Sequence, residues 1–550
     1  VTDRLAFPLV DRGPGPYRVL LGGRRARVAA ALADLRHPGA AQQRRLDRIL
    51  AHVAGSAFGR AHGLDAVRSI EDLQRAVPIR GHADLLPWLD RVAAGERGVL
   101  SSLPVQMLVE TSGTTGRPKH LPVTPSWSRS VARAQELWLL GLLREHPGIS
   151  RGKALAIVGA AEHGRSPGGL PVGSNTGRLQ GAQPWYLRAR YALPPEVAGL
   201  APFDLKLYVL LRLTLVQPVT SLTTANPSTV LVLIRKLHQW REELADDLAA
   251  NTVRNGPAAA LDPRLRRRFE RRLSLRPRRR SMPPVDAPLS GIWPLQVVSC
   301  WTAGPAAFFA DRLAAELGPG VPVRPVGVTA SEGYFAVPLA GDWPGGVLHT
   351  GGHVMELVDD SGQARPAWQA EQGERLRLVV TTEAGLVRYD LGDLVEVVGR
   401  CEETPVIRFV GKAGRFLDVA GERVSEAQLS EAARRVSAAL RLSPVGFTVR
   451  AVQDARPFHE LAVEGLSAAD ARRWAAALDD VLAELNVEYA SKRGSDRLGP
   501  PALVALAEGS YARWRSTRVA AGAPDSQLKD PIMALDDAEW RAVLTPGDAG

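Results

Sequence analysis

Cysteine is almost missing from this 550-residue chain, which holds only Cys300 and Cys401. Two thiols cannot build a disulfide framework or a zinc cluster, so disulfide-stapled and zinc-stapled classes are excluded. Long apolar runs are missing too. The longest, Leu207 to Val216, is interrupted by Arg212 and falls short of the roughly 18 residues that span a bilayer. Arg4, Asp11 and Arg12 break up the first residues, where a secretory signal would carry an apolar stretch. A reducing cytoplasm is the expected location. Lysine is scarce, with seven in the whole chain, so a lysine inside a motif carries weight.

The formal net charge of +11 raises the question of a polyanion partner. Most basic residues, however, are arginines spread over the whole chain among alanines and glycines, as coding bias from a GC-rich genome produces. The densest stretch, Arg264 to Arg280, carries leucines at 265, 273 and 275 and reads as a solvated helical face and loop. Neither nucleic acid nor a membrane is an expected partner, and the oligomeric state is not readable.

What is present is the composition of a globular protein, 45% apolar and 23% charged, at a length that calls for two or more domains. Apolar residues fall three and four apart over 24–36 and 41–60, the helical period, and Ser69-Ile-Glu-Asp72 reads as a capping signal. Strand-like runs occur at 105–110, 154–160, 219–225, 296–303, 323–330, 353–358, 375–382 and 405–410. Helices lie between several of them, among them one from near Ser126, 228–250 and 305–317. Strands alternating with helices predict an α/β fold with mostly parallel sheets. After Gly411 the rhythm changes. A helix (425–440), two strands (445–452 and 459–464), a long helix (467–486) and a last strand (502–507) make a compact α+β unit. The expected division is 1–411 for a large N-terminal domain, 412–424 for a hinge and 425–550 for a smaller mobile domain.

The chemical signal begins at Thr111-Ser-Gly-Thr-Thr-Gly-Arg-Pro-Lys119, directly after an apolar strand. Gly113 and Gly116 let backbone N–H groups approach an anion, Thr111, Ser112, Thr114 and Thr115 add hydroxyl donors, and Lys119 adds a full charge. A Walker A loop needs Gly-Lys-Ser/Thr opening a helix. Here Pro118 precedes the lysine and His120 follows it, so a P-loop nucleotidase is not expected.

This loop resembles the signature of adenylate-forming enzymes, and the wider context resembles the auxin-responsive (Gretchen Hagen) family of acyl-acid amido synthetases. The matches run in order through Phe58-Gly-Arg-Ala-His-Gly63, Val77-Pro78, Gly95-Glu96, Gly168-Gly-Leu-Pro-Val-Gly-Ser174, Trp240 with Asp246-Asp247, and Trp293-Pro294. They continue through Cys300-Trp-Thr-Ala-Gly304, Ala330-Ser-Glu-Gly333, Arg388-Tyr-Asp-Leu-Gly-Asp393, Phe409-Val-Gly411, Pro457-Phe-His-Glu460 and Gln527-Leu-Lys-Asp-Pro531. The resemblance implies a nucleotide cleft in the large domain, a C-terminal lid, ATP and Mg2+. It also implies a two-step reaction in which a small carboxylic acid becomes an acyl-AMP and an amine, such as an amino acid, then takes the acyl group.

Carried over by position, the resemblance makes Asp393 a ribose ligand; the residues alone also allow a turn aspartate after Gly392. Glu332 becomes the residue near magnesium and the α-phosphate, with Thr329, Ala330 and Ser331 beside it; an acid at a helix start is the plain alternative. The family's adenine-packing tyrosine is replaced by Val328. Lys529 aligns with the lid lysine that offsets charge on the reacting phosphate, and Ile532 stands where the family has an arginine. Arg423, where plant members carry lysine, is read as a phosphate contact. Lys412 reads as a linker cation, Arg388 and Tyr389 as framing the cleft or equally as a half-buried strand pair, and Glu356 as an exposed strand acid in preference to a magnesium or substrate ligand. None of the C-terminal cations is expected to reach the cleft without domain closure. Two other readings stand beside the amido synthetase: a ligase with a thiol acceptor, and a degenerate nucleotide-binding regulator.

Overall fold

The computed structural model describes residues 4–5, 15–111, 119–183, 185–276, 281–521, 523 and 528–544. Four strands, Lys153–Ala156, Val219–Thr223, Val297–Cys300 and Val323–Pro325, pair in that order and all in parallel. Crossover helices cover such a sheet on both faces, which buries the central strands: Val297–Cys300 is wholly buried and Val219–Thr223 at all but its last residue. The covering helix Phe203–Thr214 is buried at every position but Asp204. That explains the apolar run from Leu207: it is an interior helix. Arg212 inside it is fully buried and donates to the carbonyls of Thr252 and Asp247, at 2.8 and 2.9 Å. Asp247 in turn accepts the Tyr208 hydroxyl at 2.8 Å and the amides of Arg254 and Asn255. The Trp240 and Asp246-Asp247 motif is thus a packing node. Among the described residues no helix is long and apolar enough to cross a membrane.

The α/β class holds, but parallel pairing is concentrated in this four-stranded sheet, and the largest sheet is built differently. Val328–Ala330, Gly333–Val337, Gly346–Leu348, Thr404–Lys412, Tyr389–Cys401, Arg375–Thr381, Val354–Val358 and Ala364–Pro366 are antiparallel neighbours in that order. Arg4–Leu5 adds a short parallel pairing to Tyr389–Cys401. Burial along Tyr389–Cys401 alternates strictly, the period of an antiparallel strand with one face on the core.

Two local expectations are corrected here. The run 323–330 is two strands in two different sheets, separated at Gly327, whose φ of +94° a residue with a side chain rarely adopts. Gly392-Asp393 is not a chain-reversing turn. Asp393 lies within Tyr389–Cys401, just past a bulge in which Leu391 and Gly392 are the extra residues.

A third sheet holds the hairpin Met107–Thr111 and Lys119–Val123, which pairs Thr111 with Lys119. The C-terminal unit carries a four-stranded sheet of Ala502–Ala505, Phe458–Glu464, Gly446–Val452 and Met533–Ala534. Helix Glu426–Leu440 opens on a capping box in which Ser425 and Gln428 satisfy each other's amides. This unit packs on the large domain through apolar residues. Phe447 meets Phe308 edge-on at 5.2 Å, and helix Glu426–Leu440 lies along Ala307–Leu317.

Candidate active site

Three backbone devices aim charged groups at one cleft. The hairpin sets Lys119 opposite Thr111, so the connecting loop must run between them. Ser112, Gly113, Thr114, Thr115 and Gly116 of the expected phosphate loop lie outside the described residues, as does the Thr111 side chain. The second device is the tight turn Ser331-Glu332 between Val328–Ala330 and Gly333–Val337, where Ala330 pairs with Gly333. Glu332 is therefore a hairpin-turn residue and not a helix-start acid. The turn is pinned from outside. The Trp127 indole donates to the Glu332 carbonyl at 2.9 Å, and the Asn175 amide donates to the Ser331 carbonyl at 3.1 Å. A side chain at Gly333 would drive into the buried His353 imidazole, its Cβ 2.3 Å from Nε2, so His353 would have to shift. The third device is the bulge at Gly392, which sets Asp393 opposite Lys412 across the ladder.

That cross-strand neighbour changes the reading of Lys412. It is no linker cation: its ammonium pairs with the Asp393 carboxylate and donates to the Leu391 carbonyl at 3.0 Å. Lys529 arrives from the C-terminal unit, its ammonium 4.6 Å from the centroid of the Trp301 ring, within electrostatic reach of Lys412 and Asp393. Trp301 donates its indole N–H to the Thr329 hydroxyl at 3.2 Å. The C-terminal unit is docked on the large domain in this structure, with Lys529 beside Trp301, Lys412 and Asp393.

Three of the seven lysines therefore meet two carboxylates at one place. Burial pushes the Glu332 carboxyl above the ordinary glutamate range and Asp393 adds to it, against the pull of Lys412 and Lys119. The Tyr389 hydroxyl donates to Glu332. Burial lowers Lys119, with Lys412 adding repulsion and Glu332 opposing. It lowers Lys529 as well, and again Lys412 adds to the effect. Burial alone would lower Lys412 too, but the adjacent Asp393 outweighs it and raises the pKa. His82, at the first turn of helix His82–Ala93, is lowered by burial and then by Lys119. Two of the three lysines are thus lowered and the third is raised by its carboxylate partner, and such perturbed, mutually repelling cations cluster at functional sites.

Other candidates fall elsewhere. Arg423 is exposed and lays its guanidinium over the Phe416 ring at 4.9 Å; it does not join the lysine group. Glu356 is not an exposed strand acid. It is 1% exposed and takes both Nε and Nη2 of Arg388, at 3.0 and 2.9 Å, plus the Gln74 amide at 2.8 Å. Arg388 and Glu356 thus hold the sheet behind the cleft. Val328 is buried in the core, with no aromatic face to offer a base. His120 faces Glu110 across the hairpin at 3.5 Å. Sequence reasoning missed the roles of Lys412 and Asn175. Only lysine scarcity hinted at the first, and nothing local marks the second.

The solved acyl acid amido synthetase GH3.15 superposes with a TM-score of 0.81 at 18% identity, over 94% of this chain and 95% of that one. A 2-hydroxyisobutyryl-CoA ligase in its postadenylation state superposes at 0.52 and 14% identity, over 97% and 93%. The chain shares its fold with both of these solved enzymes. Indole-3-acetic acid-amido synthetase GH3.8 of Oryza sativa subsp. indica is 27% identical over 539 residues, covering 90% of this chain and 87% of the relative. GH3.3 of Arabidopsis thaliana, of the same described activity, is 24% identical over 90% and 91%. The GH3 family N-terminal domain matches residues 29–323, its central domain 353–412 and its C-terminal domain 427–538; the chain belongs to the GH3 family.

Proposed function

We propose that the chain is an ATP-dependent acyl-acid amido synthetase. In the first step a carboxylate oxygen attacks the α-phosphorus of ATP, forming acyl-AMP and expelling pyrophosphate. In the second an amine nitrogen attacks the acyl carbon, the C–O bond to AMP breaks, and the amine loses a proton. The relatives act, by name, on indole-3-acetic acid; for this chain the substrates are a small carboxylic acid and an amine of the amino acid class.

The observation that carries the reading is the convergence of Lys119, Lys412 and Lys529 on Glu332 and Asp393 from three separate elements. Asp393 accepts the ribose hydroxyls, the loop after Thr111 with Lys119 holds the phosphates, and Lys529 offsets charge gained at the α-phosphate. Thr329, Ala330 and Ser331 border the nucleotide. Mg2+ takes one or two carboxylates and completes its shell with water and substrate phosphates, and Glu332 would supply the carboxylate here. When bound, the ion draws charge from the phosphates. The chain divides into a large domain over 1–411, a hinge over 412–424 and a lid over 425–550. The lid moves between the two steps.

Acid-dependent ATP–pyrophosphate exchange across a panel of carboxylates, followed by product mass with amines or with coenzyme A, tests this. Exchange and an amide product are expected. A thioester product overturns the acceptor, and no exchange with any acid overturns the reaction.

A further inference from the structure

Of the residues flanking Lys529, Leu528 is held by the large domain directly, and Asp530 through Arg515 of its own unit, which reaches Ser228. Asn226, buried at the cap of helix Pro227–Gln239, accepts the Ser228 amide through its oxygen at 3.1 Å and donates its side-chain N–H to the Leu528 carbonyl at 2.7 Å. On the other side Asp530 pairs with Arg515 at 2.6 Å, and the same guanidinium donates to the Ser228 hydroxyl at 2.7 Å. Lys529 lies between these two anchored neighbours, and its ammonium rests on Trp301. Trp301 itself follows directly on the buried strand Val297–Cys300 and is locked by its bond to Thr329, so the ring is a fixed surface.

We propose that Asn226 and Trp301 are positioning residues for the adenylation step: Asn226 fixes the backbone before Lys529, and the Trp301 face holds its ammonium at the cleft. The chemistry of the contact suits the task. An indole face attracts a cation without neutralising it, by about 0.5–2 kcal/mol, so the lysine keeps its full charge for an arriving phosphate. A carboxylate in the place of Trp301 would compete with that phosphate. A contact this weak also yields when the lid turns for the second step. Asn226 couples the two units in the same way: one short side chain caps a large-domain helix and binds a lid carbonyl, so the Leu528 bond can break without loss of the cap.

This rests on the reading of Lys529 as the cation of the first step, and separate assays of the two half-reactions test it. Trp301→Leu is expected to slow ATP–pyrophosphate exchange about tenfold. Amide formation from supplied acyl-adenylate stays within about twofold, the scatter of a bystander substitution. Trp301→Phe retains a ring face and recovers most of the exchange. Asn226→Asp keeps the helix cap but cannot donate to Leu528, and shows the same selective loss. In a Lys529→Ala background, Trp301→Leu has no further effect. Equal loss in both half-reactions, or a full additional loss in that background, overturns the proposal. Undiminished exchange by Lys529→Ala alone overturns the role of Lys529 and the inference with it, whereas a wild-type chain that exchanges with no acid refutes the proposed function itself.

Discussion

At the scale of single residues, the cleft makes claims that titration can check. Asp393 is nearly buried, and it forms an ion pair with Lys412. Asp393→Ala removes the ribose acceptor and frees Lys412 from its pair. Hydrogen bonds to a charged group contribute about 1.5–3 kcal/mol, so kcat/KM for ATP is expected to fall about 10- to 150-fold. An unchanged value, measured with acid saturating, would remove Asp393 from nucleotide binding. Lys529 gives a sign. Burial and Lys412 lower its pKa, and only the protonated form can offset phosphate charge. Exchange activity should therefore decline on the alkaline side below the ordinary lysine range. Lys529→Arg, whose guanidinium stays charged, should carry that decline to higher pH. Superimposed profiles would show that another group sets the limb. Glu332 has the opposite sense: burial raises it, so activity needing its carboxylate fails as pH falls. Tyr389→Phe removes a donor to that carboxylate and should move the acid limb to higher pH.

At the scale of elements, legibility followed the kind of signal. Ser69-Ile-Glu-Asp72 was readable as a cap, and Ser69 and Asp72 do close a capping box. The C-terminal helices and strands start and stop within a residue or two of their hydrophobic periods over 425–440, 445–452, 459–464 and 467–486, though the last strand stops two residues early. The run 228–250 is two helices because the chain leaves helical geometry at Trp240. What could not be read was pairing. Whether a strand is parallel, and which residue faces which, depends on partners distant in sequence. Glu356 shows the cost of that blindness. A glutamate within Val-Met-Glu-Leu looks exposed by composition, yet Arg388, 32 residues away, lies against it in the core. Removing one member of a buried pair leaves the other charge stranded. Glu356→Ala is expected to destabilise the fold by about 3–5 kcal/mol in denaturant unfolding, and Glu356→Ala with Arg388→Ala by less than the sum of the single changes. Additive losses would show that the two side chains do not depend on each other.

At the scale of the whole molecule, the contact between the two units sets how the lid can move. Domains joined by small polar contacts move as a matter of course, whereas a large apolar interface resists it. Here the interface mixes both. Phe308 on the large domain is 1% exposed, Phe447 on the lid is fully buried, and the rings meet edge-on. Around them stand polar contacts that break and remake readily, such as Arg434 with Asp311 at 2.6 Å and the Ser430 hydroxyl on the Gly304 carbonyl at 3.2 Å. The aromatic pair and the polar rim together hold the docked arrangement. A chain ending at residue 411 would expose Phe308 and its neighbours on helix Ala307–Leu317. Uncovering an aromatic side chain costs about 1.5–3 kcal/mol. Such a chain is therefore expected to melt several degrees below the full chain by calorimetry, and the full chain to unfold in one cooperative transition. A truncated chain as stable as the parent, with the intact protein melting in two separate steps, would mean that the aromatic contact couples the units too weakly to hold Lys529 in the cleft.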